Sequence, residues 1–216
     1  MSAALCGRRA RHSARTMSKA HPVFAALYDL AMTPWERLRV SRTRERLVGD
    51  LGGRILEVGV GTGLNLRHYG PQASVFAVEP DPYMLSRAKP RARAVTGSAT
   101  LVRAVCEALP FQTGSFEAAV ACLMLCSVDS PEAALSEVRR CLKTGAKLRF
   151  VEHVRAHNRW IAELQRLATP LWSRLCAGCH LDRPTASLIS NAGFRIEAIN
   201  RAVGGLWICG SATAVG

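Results

Sequence analysis

Arg54–Gly70 reads RILEVGVGTGLNLRHYG. Its largely apolar start, Ile55–Val58, is typical of a buried strand in a parallel sheet. Three glycines alternate with other residues over Gly59–Gly63, where the lack of a Cβ allows a tight turn and lets a ligand approach the backbone. Leu64–Tyr69 then predicts a short helix that begins at the glycines. A strand, a glycine-rich turn and a helix N-terminus in this order predict a nucleotide or cofactor site.

The spacing of the glycines separates this stretch from a dinucleotide site. Such sites carry G-x-G-x-x-G, whereas here the third glycine comes one residue early and Glu57 precedes the first. The pattern E-x-G-x-G-x-G resembles motif I of the class I S-adenosylmethionine (SAM) methyltransferases. The resemblance implies that the Glu57 carboxylate takes the cationic end of the methionine part of SAM, directly or through water. A glycine-rich turn that holds no ligand is the plain structural alternative.

Size and charge limit the classes of function. With 216 residues, 49% of them apolar, the chain predicts one domain with a sizeable core and no membrane-spanning helix. The net charge is +13, and ten of the 29 basic residues, nine of them arginines, lie in the first fifty residues. We interpret them as a solvated basic face, compatible with peripheral contact with an anionic membrane. No aromatic stripe interleaves with these arginines, which argues against nucleic acid as a partner.

The chain divides into a disordered basic N-terminal arm, residues 1–20, and a class I methyltransferase domain, residues 21–216. The eight cysteines lie mostly in apolar runs, which indicates free thiols and a reducing, cytoplasmic compartment. Ahead of the first strand, a helix is expected from His21 to a break at Met32–Pro34, and a second helix continues to Gly49. We expect both helices to cover the cofactor.

Two later strand ends predict contacts to the nucleoside half of SAM. Glu79 ends an apolar strand about twenty residues after the glycine turn, the spacing of a carboxylate that accepts both ribose hydroxyls. Asp81 can cap the next helix. Val105–Glu107 resembles the family's adenine loop, with Val105 where Asp is common, so backbone groups would bind the base. The cofactor-binding residues predicted from these motifs are Glu57, Gly59, Gly61, Thr62, Gly63, Asn65, Glu79, Pro80, Met84, Val105, Cys106, Glu107, Leu123 and Leu125.

Strands alternate with helices along the whole domain. This order predicts a three-layer αβα Rossmann-like sandwich around a mostly parallel, seven-stranded sheet. Two apolar segments between Phe194 and Cys209, separated by a Gly-Gly pair, predict a closing hairpin that makes the last strand antiparallel.

A narrower resemblance covers Ala121–Phe194. Cys122–Val128 and Glu152–Val154 look like the exits of strands four and five in the thiol S-methyltransferases of the methyltransferase-like group. Residues 158–182 look like the helical insert on the acceptor side of those enzymes, which also carry an apolar N-terminal anchor that this sequence does not show. The resemblance implies methyl transfer to a small-molecule acceptor such as an alkyl thiol. Methylation of a phospholipid headgroup or a quinone precursor, and SAM binding without catalysis, remain as alternatives.

The acceptor side offers several candidate catalytic residues. A thiol acceptor must become a thiolate, so His153 at the exit of strand five is our first candidate for the base, with a packing role as the alternative. Ser127 and Cys126 are expected at the same mouth, where either can position the acceptor; His180 and Arg183 are weaker candidates. The run from Cys176 to His180 also matches the haem-attachment pattern C-x-x-C-H. We interpret its cysteines as packed within the insert, and we expect no metal site.

Overall fold

The computed structural model describes residues 20–35 and 40–215. The predicted basic arm, apart from Ala20, lies outside the described residues, as does the middle of the predicted second helix.

One seven-stranded sheet forms the centre of the molecule, in the order β3-β2-β1-β4-β5-β7-β6. The strands from β1 to β5 are parallel, whereas β7 runs antiparallel to both of its neighbours. The predicted sandwich with an antiparallel last strand is therefore confirmed. The strands are Gly53–Val58 (β1), Ala73–Val78 (β2), Ser98–Val102 (β3), Phe116–Cys122 (β4), Leu142–His153 (β5), Phe194–Ala202 (β6) and Trp207–Ala214 (β7).

Helices flank this sheet, and two of them begin with side-chain caps that the sequence indicates. Asp81 accepts hydrogen bonds from the backbone N–H groups of Tyr83 and Met84, and Ser130 accepts one from Ala133. The helices that follow Asp81 and Ser130 both have proline at their first position, where no hydrogen bond is lost. A third helix is capped by Asn158, which accepts from the N–H groups of Trp160 and Ile161. The helices are Pro22–Trp35 (α1), Ser41–Val48 (α2), Pro82–Arg93 (α3), Pro131–Cys141 (α4), Arg159–Leu175 (α5) and Thr185–Asn191 (α6).

Alternate residues of β1 belong to two separate hydrophobic cores. Leu56 packs in a cluster with Leu135 of α4 and Ile189 of α6. Ile55 packs in a second cluster with Leu47 and Val48 of α2. Successive side chains of a strand point to opposite faces, so the two clusters lie on the two sides of the sheet and make the three layers. Both faces of β1 are buried, as its apolar sequence indicates.

The order of the strands determines where a ligand can bind. Chain connections run outward in opposite directions from β1 and β4, which pair with one another at the centre of the sheet. Such a reversal leaves a crevice beyond the carboxyl ends of the strands. The glycine turn follows β1 directly and therefore lies at this crevice.

Two predicted helix boundaries are wrong. The predicted helix after the glycines is a single 3₁₀ turn, Leu66–His68, because Gly63 at φ +86° lies outside helical geometry and Tyr69 is already extended. The predicted break at Met32–Pro34 is also absent, since α1 continues through Pro34 to Trp35. There the Thr33 hydroxyl donates to the Asp29 carbonyl one turn earlier instead of capping a new helix.

None of the helices in the described part of the chain is both long enough and apolar enough to cross a bilayer.

Candidate functional site

A cavity opens at the carboxyl ends of β1, β2 and β4, and α1 forms part of its wall. Twelve of the sequence-predicted site residues line this cavity. They are Gly59, Gly61, Thr62, Asn65, Glu79, Pro80, Met84, Val105, Cys106, Glu107, Leu123 and Ser127.

Gly61 and Glu79 connect the first two strand ends across the cavity. The Gly61 N–H donates to Glu79 Oε2 at 3.0 Å, and the Asp81 N–H donates to Glu79 Oε1 at 3.0 Å. Burial raises the pKa of Glu79 to about 7, against the opposing effect of these two donors. A carboxylate has about four acceptor positions, so Glu79 retains the capacity to accept hydrogen bonds from a ligand in the cavity.

Glycine is required at the three positions of the turn for different structural reasons. A Cβ on Gly61, which has φ +57°, would meet no protein atom within 4 Å, so its open side faces the cavity. A Cβ on Gly59 would lie 2.4 Å from the Met124 Cγ, and one on Gly63 would lie 3.2 Å from the Ala88 Cβ. Gly59 and Gly63 therefore allow close packing, whereas Gly61 leaves space for a ligand.

Glu57 lies behind the cavity wall and not in it. Asn65 lines the cavity and donates its Nδ2–H to Glu57 Oε1 at 2.8 Å, while Arg44 of α2 donates to Asn65 Oδ1 at 2.7 Å. Glu57 Oε2 has no hydrogen-bond partner among the described residues, and complete burial raises the pKa of this carboxyl to about 7. Arg44 also lines the cavity and is only 4% exposed. From sequence, Arg44 is predicted to belong to a solvated basic face, because no local pattern indicates its burial.

Polar contacts hold α1 over the glycine turn. Asp29 accepts a hydrogen bond from the Thr62 hydroxyl at 2.6 Å and pairs with Arg91 at 2.9 Å. Arg91 also donates to the Thr62 carbonyl. The backbone N–H of His21 donates to Asp81 at the start of α3. Phe24 and Tyr28 of α1 line the cavity, as expected of a covering helix, although the sequence did not single them out.

At the end of β5, one buried carboxylate organises the loop after β4. Glu152 at the end of β5 is inaccessible to solvent and accepts the backbone N–H groups of Met124, Leu125 and Cys126. Burial raises its pKa to about 7. Leu123, which lines the cavity, takes a left-handed φ of +57°, a conformation that non-glycine residues adopt rarely and often at functional sites. Leu125 is buried beneath the loop and does not line the cavity.

Arg183 belongs to the same framework. Its guanidinium donates to the Leu125 and Val128 carbonyls, so it binds carbonyl groups of the loop whose N–H groups Glu152 accepts. Gln165 of α5 similarly donates to the Val154 and Leu181 carbonyls and joins the helix to the end of the sheet. These contacts are structural, and Arg183 does not line the cofactor cavity.

His153 faces two thiols and does not line the cavity. Its Nδ1 lies 3.5 Å from the Cys179 Sγ and 3.9 Å from the Cys126 Sγ, and the two sulfurs are 3.6 Å apart. Its ring packs edge-on against Trp207 with ring centroids 4.9 Å apart. Contacts with Cys126 and His153 lower the pKa of the Cys179 thiol to about 4, whereas the pKa of Cys126 is raised. Of the two predicted catalytic residues, only Ser127 lies at the cavity surface.

The charge of the cavity differs from that of the chain as a whole. Although the protein carries a net charge of +13, four acidic residues line the cavity: Glu79, Asp81, Glu107 and Asp129. Such a cavity favours a ligand with a positive charge over a phosphate-rich one.

Comparison with known proteins gives a family from the sequence and a shared fold from the structure. The methyltransferase-domain family matches residues 56–150. Human thiol S-methyltransferase TMT1B is 30% identical over 76% of this chain and 72% of its own length. Human thiol S-methyltransferase TMT1A is 32% identical over 79% of this chain and 72% of its own length. A SAM-dependent methyltransferase from Methanosarcina mazei shares the fold, with a TM-score of 0.60, 22% identity, and coverage of 76% of this chain and 93% of that protein.

Proposed function

This chain belongs to the SAM-dependent methyltransferase family that includes TMT1A and TMT1B, and we propose that it transfers the methyl group of SAM to a small, largely apolar thiol. The family assignment gives SAM-dependent methyl transfer, and the thiol acceptor is our proposal. It is supported by the two thiol S-methyltransferases among the relatives and by the apolar loop after β4 at the cavity mouth.

The cavity suits SAM because its open glycine and its carboxylates match the two ends of that molecule. In our proposal, the methionine part lies over Gly61 and beside Asn65, where the neighbouring Arg44 complements its carboxylate. Glu79 accepts the two ribose hydroxyls, while Val105, Cys106 and Glu107 surround the adenine, with Pro80 and Met84 beside them. Thr62, Gly59 and Gly63 shape the turn, and Glu57 acts on the methionine part through Asn65.

Leu123 and Ser127 are proposed to meet the acceptor. SAM supplies an electrophilic methyl group on a sulfonium, and its departure leaves a neutral thioether. The protein then has to hold a thiolate in line with that methyl group and exclude water. Leu123 contributes an apolar wall at the cavity, and Ser127 a hydroxyl that can orient the thiolate. Leu125, buried below, supports this wall without touching the ligand.

His153 has a different role in this proposal from Ser127. Because its Nδ1 faces Cys126 and Cys179, we assign it as a positioning residue that holds the β4 and α5 sides of the mouth together. A direct base would have to reach the acceptor proton at hydrogen-bond distance. The pH profile of His153→Ala distinguishes the two roles. A lost base is compensated at high pH, where the thiol ionises unaided, but lost positioning is not.

The deciding experiment is a screen of the full chain with labelled SAM against alkyl thiols, quinone precursors and phospholipids. We expect label in the thioether product of an apolar thiol. Ser127→Ala should lower kcat/KM for the thiol by about 10-fold or more while SAM affinity stays nearly unchanged, because this hydroxyl acts on the acceptor. Ser187→Ala, in α6 and outside the cofactor cavity, is the matched control. Label in phospholipid or quinone with no thiol product would contradict the thiol assignment.

A solvent-exposed apolar face on α5 supports an apolar acceptor and a peripheral membrane contact. The side of α5 that packs on the protein carries Ala162, Gln165 and Thr169, which are small or polar. Its exposed side carries large apolar residues and arginines, a pattern typical of helices that lie in a membrane interface. The exposed apolar residues are Trp160, Ile161, Leu164, Leu167, Leu171, Trp172 and Leu175.

A further inference from the structure

Cys126, His153 and Cys179 are distant in sequence but adjacent in space. Cys126 follows β4, His153 ends β5, and Cys179 lies in the loop after α5. One potential ligand atom from each lies within 4.8 Å of the others. The Cys126 and Cys179 side chains are 1% and 6% exposed, and His153 is half-buried. Packing of apolar side chains does not by itself require two thiols and an imidazole at this spacing.

We propose that these three residues bind a soft divalent metal ion, zinc in the first instance. Zinc binds thiolate sulfur at about 2.3 Å and histidine nitrogen at about 2.0–2.1 Å in a tetrahedron. Those bond lengths place two sulfurs about 3.8 Å apart and a sulfur and a nitrogen about 3.5 Å apart. The observed separations are 3.6 Å between the sulfurs and 3.5 and 3.9 Å from the sulfurs to Nδ1. The three atoms thus already occupy one face of a tetrahedron of the right size.

The chemistry of the three donors selects the kind of ion. Thiolate and imidazole ligands suit zinc and other soft or borderline metals, whereas magnesium and calcium prefer oxygen. Two thiolates balance the charge of a divalent ion, which lowers the cost of burying it. Three protein ligands leave the fourth position of the tetrahedron to water or to a ligand from outside, as in zinc sites that are not closed.

Neighbouring residues hold each donor in place before any ion is bound. Glu152 and Arg183 fix the loop that carries Cys126. The N–H of His180 donates to the Cys126 carbonyl at 2.7 Å, which ties the Cys179 segment to that loop. Trp207 restrains the His153 ring. Supporting contacts of this kind orient the ligands of metal sites and contribute to affinity.

This site differs from the one that the sequence pattern C-x-x-C-H indicates. That pattern would use Cys176, Cys179 and His180, whereas the structure brings Cys179 together with Cys126 and His153. Cys176 lines the cofactor cavity. Metal binding by these three residues does not depend on which acceptor the protein methylates.

The test is metal binding by the full chain, purified under reducing conditions and stripped with a chelator. Titration with Zn²⁺ against a chromophoric chelator should show about one ion per chain. Co²⁺ should give the absorption bands of a tetrahedral ion with thiolate ligands. Cys126→Ser, Cys179→Ser and His153→Ala should each weaken Zn²⁺ binding by more than about 100-fold, beyond the usual effect of a supporting residue. Cys176→Ser and Cys209→Ser are matched controls and should retain wild-type affinity.

Several results would overturn the proposal. These are absence of Zn²⁺ uptake by the stripped wild-type chain, unchanged affinity in Cys179→Ser, or loss of binding in Cys176→Ser. A Cys126–Cys179 disulfide in place of the ion, detected by mass spectrometry of the unreduced chain, would also overturn it. The Zn²⁺ and Co²⁺ titrations use the unmutated chain, so they decide the question even if a variant fails to fold.

Discussion

Two sides of the proposed site are built in different ways. We call the region around the glycine turn and Glu79 the cofactor side, and the region around the β4 loop, His153 and α5 the acceptor side. On the cofactor side, the hydrogen bonds within the glycine turn and between the ends of β1 and β2 join residues close in sequence: Gly61 to Glu79 across 18 positions and Asn65 to Glu57 across 8. Helix α1 reaches this side from farther away, since His21 donates to Asp81 across 60 positions. On the acceptor side, Cys126 meets Cys179 across 53 positions, and Arg183 meets Leu125 across 58. The segment from β1 to the end of β2 therefore makes the glycine turn and its carboxylates, whereas the acceptor side requires β4, β5 and the α5 segment to assemble.

The largest expected effect is on the cofactor side, at Gly61. Gly61→Val would place a branched side chain in the open space over which we place the methionine part of SAM. We expect SAM binding to become undetectable by titration calorimetry. Gly114→Val is the matched control, because Gly114 also has a positive φ, of +64°, and no protein atom near its would-be Cβ. Both variants incur about 1–2 kcal/mol of backbone strain, so only the cavity distinguishes them. Equal SAM affinity in the two variants would remove Gly61 from the cofactor site.

Glu79 should give the next largest effect on the cofactor side. Hydrogen bonds from hydroxyls to a carboxylate contribute roughly 1.5–3 kcal/mol each, so Glu79→Ala should weaken SAM binding by about tenfold or more. Glu117→Ala is the control, since Glu117 pairs with Lys143 at the solvent-exposed start of β4, away from the cavity. Calorimetry at fixed pH measures both dissociation constants. If both variants weaken SAM binding equally, the ribose role of Glu79 is wrong.

Burial of Glu57 predicts a dependence of stability on pH. The folded chain raises the pKa of this carboxyl from 4.5 to about 7, so between these values the folded state binds more protons than the unfolded state. Stability therefore falls as pH rises through this window, and the loss is complete above about pH 7. Glu57→Gln removes the charge and keeps an oxygen for Asn65. We expect it to stabilise the protein on the order of 1–2 kcal/mol at pH 8 and little at pH 4.5.

Thermal unfolding of the chain without SAM, at pH 4.5 and pH 8, measures this difference. Glu45→Gln, at an exposed position of α2, is the control and should show no such change with pH. An equal shift of Tm for Glu57→Gln at both pH values would mean that the Glu57 charge does not limit stability. Glu79 and Glu152 have raised pKa values too, so the Glu57→Gln variant should still lose some stability as the pH rises.

The smallest expected effect concerns the acceptor side alone. Leu164→Gln combined with Leu171→Gln replaces two exposed apolar residues of α5, which are 66% and 65% exposed. Binding to vesicles of anionic phospholipid should fall by about three- to tenfold, because less apolar area enters the interface. SAM affinity should not change. Val203→Gln, 58% exposed before β7, is the control in the same sedimentation experiment. Unchanged vesicle binding in the double variant would show that the exposed apolar face of α5 does not take part in membrane binding.

The sequence signals for the cofactor side are local. The glycine turn, the carboxylate at the end of β2 and the cap at Asp81 each depend on residues within one or two elements, and all lie where the motif indicated. Errors arose where tertiary contacts change a local preference. Gly63, packed against Ala88, prevents the helix expected after the turn. Arg44 is buried beside Asn65, although its sequence neighbourhood is that of an exposed basic helix.

By itself, the sequence determined the α/β class, the order of strands and helices, and the glycine-rich segment that lines the cavity. Hydrophobic periodicity and glycine spacing act over a few residues, so they can be recognised without the tertiary structure. Only the tertiary structure decided which side chains share a site at the mouth. It brings His153 to Cys126 and Cys179, buries Glu152 under the β4 loop, and turns the apolar side of α5 outward. These outcomes depend on how separate strand ends and loops pack together, and such long-range pairing leaves no periodic trace in the chain.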